Sequence, residues 1–301
     1  MITYDFKEIL NCNMCGVFLK GQKILGKRMN CSQGLRPSKK IGITTTVCQC
    51  KSCGLIYANP LPIPTIMAQH YGMPPEDYWN DSYFETDDTY FSHQIDRFFK
   101  LNVGNSSNVK GLDIGAGIGK AMLAMELRGI SAFGLEPSEP FFNHAINSMG
   151  ISTQRIQNSS IKNALYSDNT FDFITFGAVL EHLYNPSESI RLALKWAKTG
   201  GIIHIEVPSA NWLTNKISNL IYKAQGLDYV ANISPMHNPF HLYEFTPKAF
   251  VKNGFKNNYD IIFSKFHICT TYLPKFLDTI IKPVMSSTNT GMQLEIWLRK
   301  L

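Results

Sequence analysis

An apolar, strand-forming run from Val109 to Ile114 leads without a break into Gly115-Ala116-Gly117-Ile118-Gly119, and a helical pattern from Lys120 to Arg128 follows, stopped by Gly129. Strand, glycine turn and helix in this order form a nucleotide-binding element of an α/β sheet. The glycines let the backbone turn tightly and let a ligand approach with no Cβ in the way. The helix then points unpaired N–H groups at that ligand. A second strand-like run, Ser131 to Leu135, ends on Glu136, 23 positions after Asp113. An acid in that place can accept hydrogen bonds from two ribose hydroxyls.

A second constraint lies at the other end of the chain. Six of the seven cysteines fall in the first 53 residues, including Cys12-Asn13-Met14-Cys15-Gly16 and Cys50-Lys51-Ser52-Cys53-Gly54. Two Cys-x-x-Cys-Gly knuckles fit one tetrahedral zinc held by Cys12, Cys15, Cys50 and Cys53. Residues 1–60 therefore read as a zinc ribbon, too small to bury an adequate core without its metal. Cys31 and Cys48 are spare, and Cys269 reads as a buried apolar residue. Between the knuckles lie Lys20, Lys23, Lys27, Arg28, Arg36, Lys39 and Lys40 with no acid. Such a stretch is a solvated loop or a surface for phosphate. The formal net charge of +6 suits an anionic substrate and is mild for a nucleic-acid binder. No apolar run is long enough to span a membrane, and the N-terminus does not look like a signal peptide. A cytoplasmic protein with reduced thiols is expected.

Pro60, Pro62 and Pro64 break the chain after the ribbon. Residues 61–105 form an aromatic-rich connector with Tyr71, Tyr78, Trp79, Tyr83, Phe84, Tyr90 and Phe91, leading into a helix from His93 to Leu101. Residues 106–301 then alternate strand and helix. Helical patterns run from Glu139 to Met149 and from Ser187 to Lys198, with a third strand near Thr153 to Ile156 between them. Residues 209–246 interrupt the alternation, and a substrate lid is the usual use of so long an insertion. Thr246-Pro247 opens a short helix expected to end at Asn253-Gly254, and the last strands are read at Tyr259 to Phe263 and Met292 to Leu298.

The loop spacing G-x-G-x-G after Leu112-Asp113-Ile114, with Glu136-Pro137-Ser138, resembles the class I S-adenosylmethionine-dependent methyltransferases. Phe171 to Leu183 is similar to that family's fourth strand and the loop after it, and Gly200 to Pro208 to its fifth. The resemblance implies a Rossmann-like, seven-stranded sheet closed by an antiparallel hairpin. It implies that Asp113, Gly115, Ala116 and Gly117 hold the methionine part of the cofactor, with Glu136 and Pro137 at the ribose. Ser160 and Ile161 stand at the adenine position, where many relatives have an acid. Phe176 and Gly177 are expected to face the sulfonium. His182 follows the fourth strand, where relatives place a histidine near the acceptor; it is the expected general base, with His241 in the lid second. Glu181 and Glu244 are candidates to orient these imidazoles, and Tyr243 to donate to a substrate oxygen. No catalytic metal is required, although His237 and His241 are available to one.

The run Cys50 to Pro60 beside this domain resembles zinc-ribbon methyltransferases of bacterial sugar and secondary-metabolite pathways. Some of those carry a further C-terminal domain and methylate sugar carbons; this chain ends just after the last expected strand. O-methylation of a sugar, a glycan precursor or a phosphorylated small molecule is therefore the leading reading, with a small-molecule acceptor, anionic or nucleotide-linked, as partner. Two other classes compete. An RNA methyltransferase would use the ribbon and basic loop, but basic residues do not cluster through the catalytic domain. A non-catalytic, partner-binding module would not need an intact cofactor loop and Glu136.

Overall fold

A computed structural model of the chain describes residues 2–32, 42–66, 70, 84, 89–102, 108–272 and 275–301. Arg36, Lys39 and Lys40 of the basic loop, and Tyr71, Tyr78, Trp79 and Tyr83 of the connector, lie outside these residues. The first strands are β1 (Tyr4–Lys7), β2 (Lys23–Met29), β3 (Thr44–Gln49), β4 (Ile56–Ala58) and β5 (Leu61–Pro64). Helix α1 (Ser92–Leu101) leads into β6 (Lys110–Ile114), α2 (Lys120–Leu127), β7 (Ser131–Leu135), α3 (Glu139–Asn147) and β8 (Ile156–Gln157). Then come β9 (Phe171–Gly177), α4 (Pro186–Trp196), β10 (Ala197–Pro208), α5 (Leu213–Ala224) and β11 (Tyr243–Glu244). The chain closes with α6 (Pro247–Asn257), β12 (Tyr259–His267), α7 (Asp278–Ser287) and β13 (Gln293–Lys300).

Seven strands form one mixed sheet in the order β12-β13-β10-β9-β6-β7-β8. The pairs β8–β7, β7–β6, β6–β9 and β9–β10 are parallel, while β13 runs antiparallel to both β10 and β12. This is the expected α/β, Rossmann-like architecture. Its strands are covered by helices, so they read as continuous apolar runs such as Phe171-Asp172-Phe173-Ile174-Thr175-Phe176, with all six side chains buried. Glycines let α2 sit close to the sheet: a Cβ on Gly111 would lie 2.6 Å from Met125 Sδ, and one on Gly134 2.5 Å from Met122 Sδ.

The last two strands pair as expected but are not joined by a hairpin turn; their connection carries the separate helix α7. Helix α6 does not stop at Gly254. Gly254 lies in the helix because the chain returns across it: a Cβ there would be 2.7 Å from the Tyr259 carbonyl oxygen. The helix ends instead at Asn258, in the left-handed region at φ 60°. The third strand is shorter and later than expected, only Ile156–Gln157.

The N-terminal region is not an independent bead. Strand β4 pairs with β3 on one side and with β11, from the insertion after β10, on the other, so a four-stranded sheet β11-β4-β3-β2 joins the two regions. Thr246 Oγ1 donates to the Cys53 carbonyl at 2.6 Å, and Asn253 Nδ2 to the Met14 carbonyl at 2.8 Å. Cys12, Cys50, Cys53 and Tyr57 belong to the same apolar cluster as Leu112, Ile174 and Phe245. Burial on this joint is hydrophobic and continuous.

Candidate functional site

Strand order reverses at β6, whose neighbours β7 and β9 are reached in opposite directions. The crevice outside the carboxyl ends of such strands is where open α/β sheets bind ligands. The glycine loop lies there. Gly115 N and Ala116 N donate to the Leu135 carbonyl at 2.8 and 2.9 Å. Gly115 and Gly117 have φ of 76° and 56°, in the left-handed region that favours glycine. A Cβ on Gly115 would come 2.5 Å from Val179 Cγ2, which seats the loop against the segment after β9. Gly119 precedes the first residue of α2, also in the left-handed region at φ 87°, and no side chain caps the helix there.

Glu136, just after β7, braces this loop. Its Oε2 accepts from Gly117 N at 2.8 Å and its Oε1 from Ser138 N at 2.7 Å. Each carboxylate oxygen retains capacity for a second donor. Asp113 and Glu136 are both buried. Burial, with the neighbouring Glu136, pushes the Asp113 carboxyl up to about 7. Burial pushes Glu136 up to about 7 as well, against the opposing pull of the Ser138 and Gly117 amides. Ala116 is buried within the loop and Pro137 is exposed. Asn158 Nδ2 ties the next loop to the Glu136 carbonyl at 2.9 Å. That loop brings Ser160, half-buried, and Ile161, buried in the main core, after β8.

At the end of β9, Gly177 is exposed, with nothing within 4 Å of where a Cβ would stand. Phe176 corrects the expectation. It is fully buried in the main apolar cluster and presents no surface to the crevice, because alternate strand residues face opposite layers and both layers here are apolar. A short turn, Leu180–His182, follows. It sets Glu181 1% exposed, beneath two imidazoles. Glu181 Oε1 lies 4.0 Å from His182 Nε2 and 3.8 Å from His241 Nε2, and the two rings meet edge-on with centroids 5.0 Å apart. His182 Nδ1 donates to the Phe240 carbonyl at 3.3 Å. Burial pushes Glu181 up to about 8, His182 down to about 4 and, with the nearby His182, His241 down to about 3.

Three further expectations are corrected. Tyr243 is fully buried at the joint with the N-terminal region. Its hydroxyl donates to the Tyr184 carbonyl at 3.0 Å and accepts from Asn13 Nδ2 at 2.6 Å, so it holds the two regions together and does not reach a substrate. Glu244 orients no imidazole. It accepts from Asn215 Nδ2, Asn232 Nδ2 and Ile233 N, and so folds the insertion on itself. His237 does not pair with His241; its Nε2 lies 3.2 Å from Arg28 Nη2.

Sequence reasoning missed a buried polar network. His204 is 0% exposed, with Nδ1 2.8 Å from Thr175 Oγ1 and Nε2 3.5 Å from Glu206 Oε1. Trp297 Nε1 donates to Glu295 Oε1 at 2.6 Å, and His267 Nε2 lies 2.6 Å from Glu295 Oε2. The only signal was a histidine and an acid inside the apolar run Ile202 to Val207.

The four knuckle cysteines form a compact group. Cys12 Sγ and Cys53 Sγ are 3.6 Å apart, Cys15 Sγ and Cys50 Sγ 3.7 Å. Zinc–sulfur bonds of about 2.3 Å in a tetrahedron place sulfurs about 3.8 Å apart, so the group fits such an ion. The folding is local: Gly16 N and Gly54 N, both left-handed, donate back to the Cys12 and Cys50 carbonyls at 2.9 and 2.8 Å.

A methyltransferase domain family model matches residues 83–262. The chain is 28% identical over 135 residues to a ubiquinone biosynthesis O-methyltransferase of Pseudomonas syringae pv. tomato, covering 44% of this chain and 56% of that one. It is 27% identical over 160 residues to the protein of the same name from Aliivibrio fischeri, covering 49% and 66%. The matches thus span between about half and two thirds of the relatives' own length. An S-adenosylmethionine-dependent methyltransferase of Archaeoglobus fulgidus superposes with a TM-score of 0.49 at 16% identity, over 73% of this chain and 97% of that one. Among the described residues, no helix is long and apolar enough to cross a membrane.

Proposed function

The chain belongs to the methyltransferase domain family whose model it matches, and from that premise we propose that it transfers a methyl group from S-adenosylmethionine to an oxygen of a small polar metabolite. One observation carries this reading. A buried acid, Glu136, braces the glycine loop on one side of β6, and the Glu181–His182–His241 group stands after β9 on the other. Cofactor loop and acid–base group therefore flank the same crevice.

S-adenosylmethionine, when bound, supplies a methyl already activated on a sulfonium, so positioning and exclusion of water are the protein's main tasks. Gly115, Ala116 and Gly117 offer backbone with no obstructing side chain, and Asp113 lies beneath them for the cofactor's amino group. Glu136 keeps free lone pairs for two ribose hydroxyls. Ser160 and Ile161 line the adenine end, and Gly177 leaves room beside the reacting carbon. The Glu181–His182–His241 group meets the acceptor oxygen, and the His182 imidazole takes the hydroxyl proton. The name shared by the two curated relatives favours oxygen as the methylated atom. The net charge of +6 favours an anionic acceptor, so a sugar, glycan precursor or phosphorylated small molecule is proposed. Cys12, Cys15, Cys50 and Cys53 hold one structural zinc. Residues 1–60, 61–105 and 106–301 are read as ribbon, connector and catalytic region, with the insertion 209–246 closing over the acceptor.

The test adds methyl-labelled S-adenosylmethionine and purified protein to a small-molecule extract. A metabolite should gain one methyl, and Glu136→Ala should abolish the gain at low cofactor concentration. Loss of charge-assisted hydrogen bonds worth about 1.5–3 kcal/mol should weaken cofactor binding roughly tenfold or more. Label appearing in RNA, or in nothing, would contradict the reading.

A further inference from the structure

The polar network on β10 reaches the crevice through one carboxylate, that of Glu206. Asp113 stands in register with Thr175, and Thr175 with His204. One pleat nearer the carboxyl ends of the strands, Gly177 stands in register with Glu206. Side chains two apart on a strand share a face, so Glu206 lies on the Asp113 face of the sheet, one strand beyond Gly177. Gly177 puts no side chain between them, and the space where its Cβ would stand is open.

The carboxylate is anchored through one oxygen only. Gln94 Nε2, on α1, donates to Glu206 Oε1 at 3.0 Å, and His204 Nε2 stands 3.5 Å from the same oxygen. His204 is itself fixed, by Thr175 Oγ1 at 2.8 Å and by Phe91 packed edge-on against its ring. Glu206 Oε2 has no hydrogen-bond partner among the described residues, and the side chain is 22% exposed. Burial alone would raise this carboxyl; His204, Gln94 and His267 outweigh it and hold the group down at about 2. A fixed, ionised carboxylate with one oxygen left over binds a charged donor more strongly than a neutral one.

The surrounding charges narrow the donor. Glu206 acts on the acceptor side of the crevice: burial, with Glu206 adding to it, pushes the Glu181 carboxyl up to about 8. Among the described residues, no lysine or arginine forms an ion pair with Asp113, Glu136, Glu181 or Glu206. The cofactor's own amino group falls to Asp113, which leaves Glu206 facing the acceptor. We propose that Glu206 is a specificity-determining residue that binds a protonated amino group on the acceptor, next to the hydroxyl that is methylated. The acceptors it selects are amino alcohols, sugar-based or not. A neutral hydroxyl in the same place makes the weaker bond to the carboxylate. This rests on the methyltransferase reading and names a group on its acceptor; the anionic group inferred from the net charge belongs at the acceptor's far end.

The test runs the label-transfer reaction on a small-molecule extract divided in two, one half first treated with an amine-selective acetylating reagent. In the untreated half, label should enter a metabolite that a strong cation exchanger retains at acidic pH. The treated half should give no labelled product. With that metabolite isolated, Glu206→Gln keeps Oε1 for Gln94 and replaces Oε2 by an amide. It should raise KM for the metabolite roughly tenfold or more, with a smaller effect on kcat. Calorimetric binding of S-adenosylmethionine to the same samples confirms that the variant is folded. A labelled metabolite without an amino group, or an unchanged KM in Glu206→Gln, would overturn the assignment of Glu206 and leave the methyltransferase reading standing. No labelled metabolite from either half would overturn that reading, and this inference with it.

Discussion

Replacing His182 by asparagine should slow methyl transfer to a hydroxyl acceptor by about 10²–10⁴-fold and leave S-adenosylmethionine binding nearly intact. Asparagine keeps an amide N–H that can still donate toward the Phe240 carbonyl, so the local turn is preserved. What is lost is the ring's second nitrogen, the atom that faces Glu181 and His241. The cofactor loop is untouched, because its hydrogen bonds run to Leu135 and Glu136. The effect therefore falls on the reacting step rather than on cofactor affinity. Single-turnover transfer at saturating cofactor, once an acceptor is in hand, is the measurement. A drop under about threefold, well below the range for an acid–base group, would remove His182 from the reaction.

Loss of the ribbon metal should unsettle the whole chain, not only its first third. Structural zinc contributes about 10–16 kcal/mol in small zinc-dependent folds at neutral pH, which rivals the about 5–15 kcal/mol stability of an entire domain. Here the cysteines share an apolar cluster with sheet residues Leu112 and Ile174 and with Phe245 beside β11. Strand β4 also pairs with β11 across the joint, and Tyr243, Asn13, Thr246 and Asn253 add hydrogen bonds there. Cys12→Ser, or chelation, should therefore lower the melting temperature of the chain in one broadened transition. Elemental analysis of the unaltered protein should find one zinc per chain at this group. Two separate transitions, the upper one unmoved by the substitution, would show that the ribbon folds on its own account.

Local chemistry made much of this molecule legible from its residues. The glycine loop, the acid at 136 and the two knuckles are short-range patterns: the loop turns at its glycines, Glu136 braces it, and the four cysteines come together. The parallel strands were readable as apolar runs between helical patterns. What escaped were features set by distant partners. Strand β11 is two residues long, and its partner is β4, near the opposite end of the sequence. The side of the sheet that Phe176 takes is not visible in a strand whose faces are both apolar. Tyr243 looked like a substrate donor beside two histidines, but Asn13 and Tyr184 claim its hydroxyl. Gly254 looked like a helix stop and serves close packing against Tyr259 instead. The pairing of His182 with His241 needed the insertion to fold back over the end of β9, with Leu242 N donating to the Glu181 carbonyl at 2.9 Å.

The central claim is that the crevice at the end of β6 binds S-adenosylmethionine, and calorimetric titration of that compound into the purified chain tests it most directly. Saturable binding of one molecule per chain is expected. Burial holds the Asp113 and Glu136 carboxyls up at about 7 in the free protein. Each is protonated below that value and charged above it, and the charged form is the better acceptor and the better neighbour for a cationic ligand. Affinity should therefore rise between about pH 6 and about pH 8. Absence of saturable binding across that range would contradict the account.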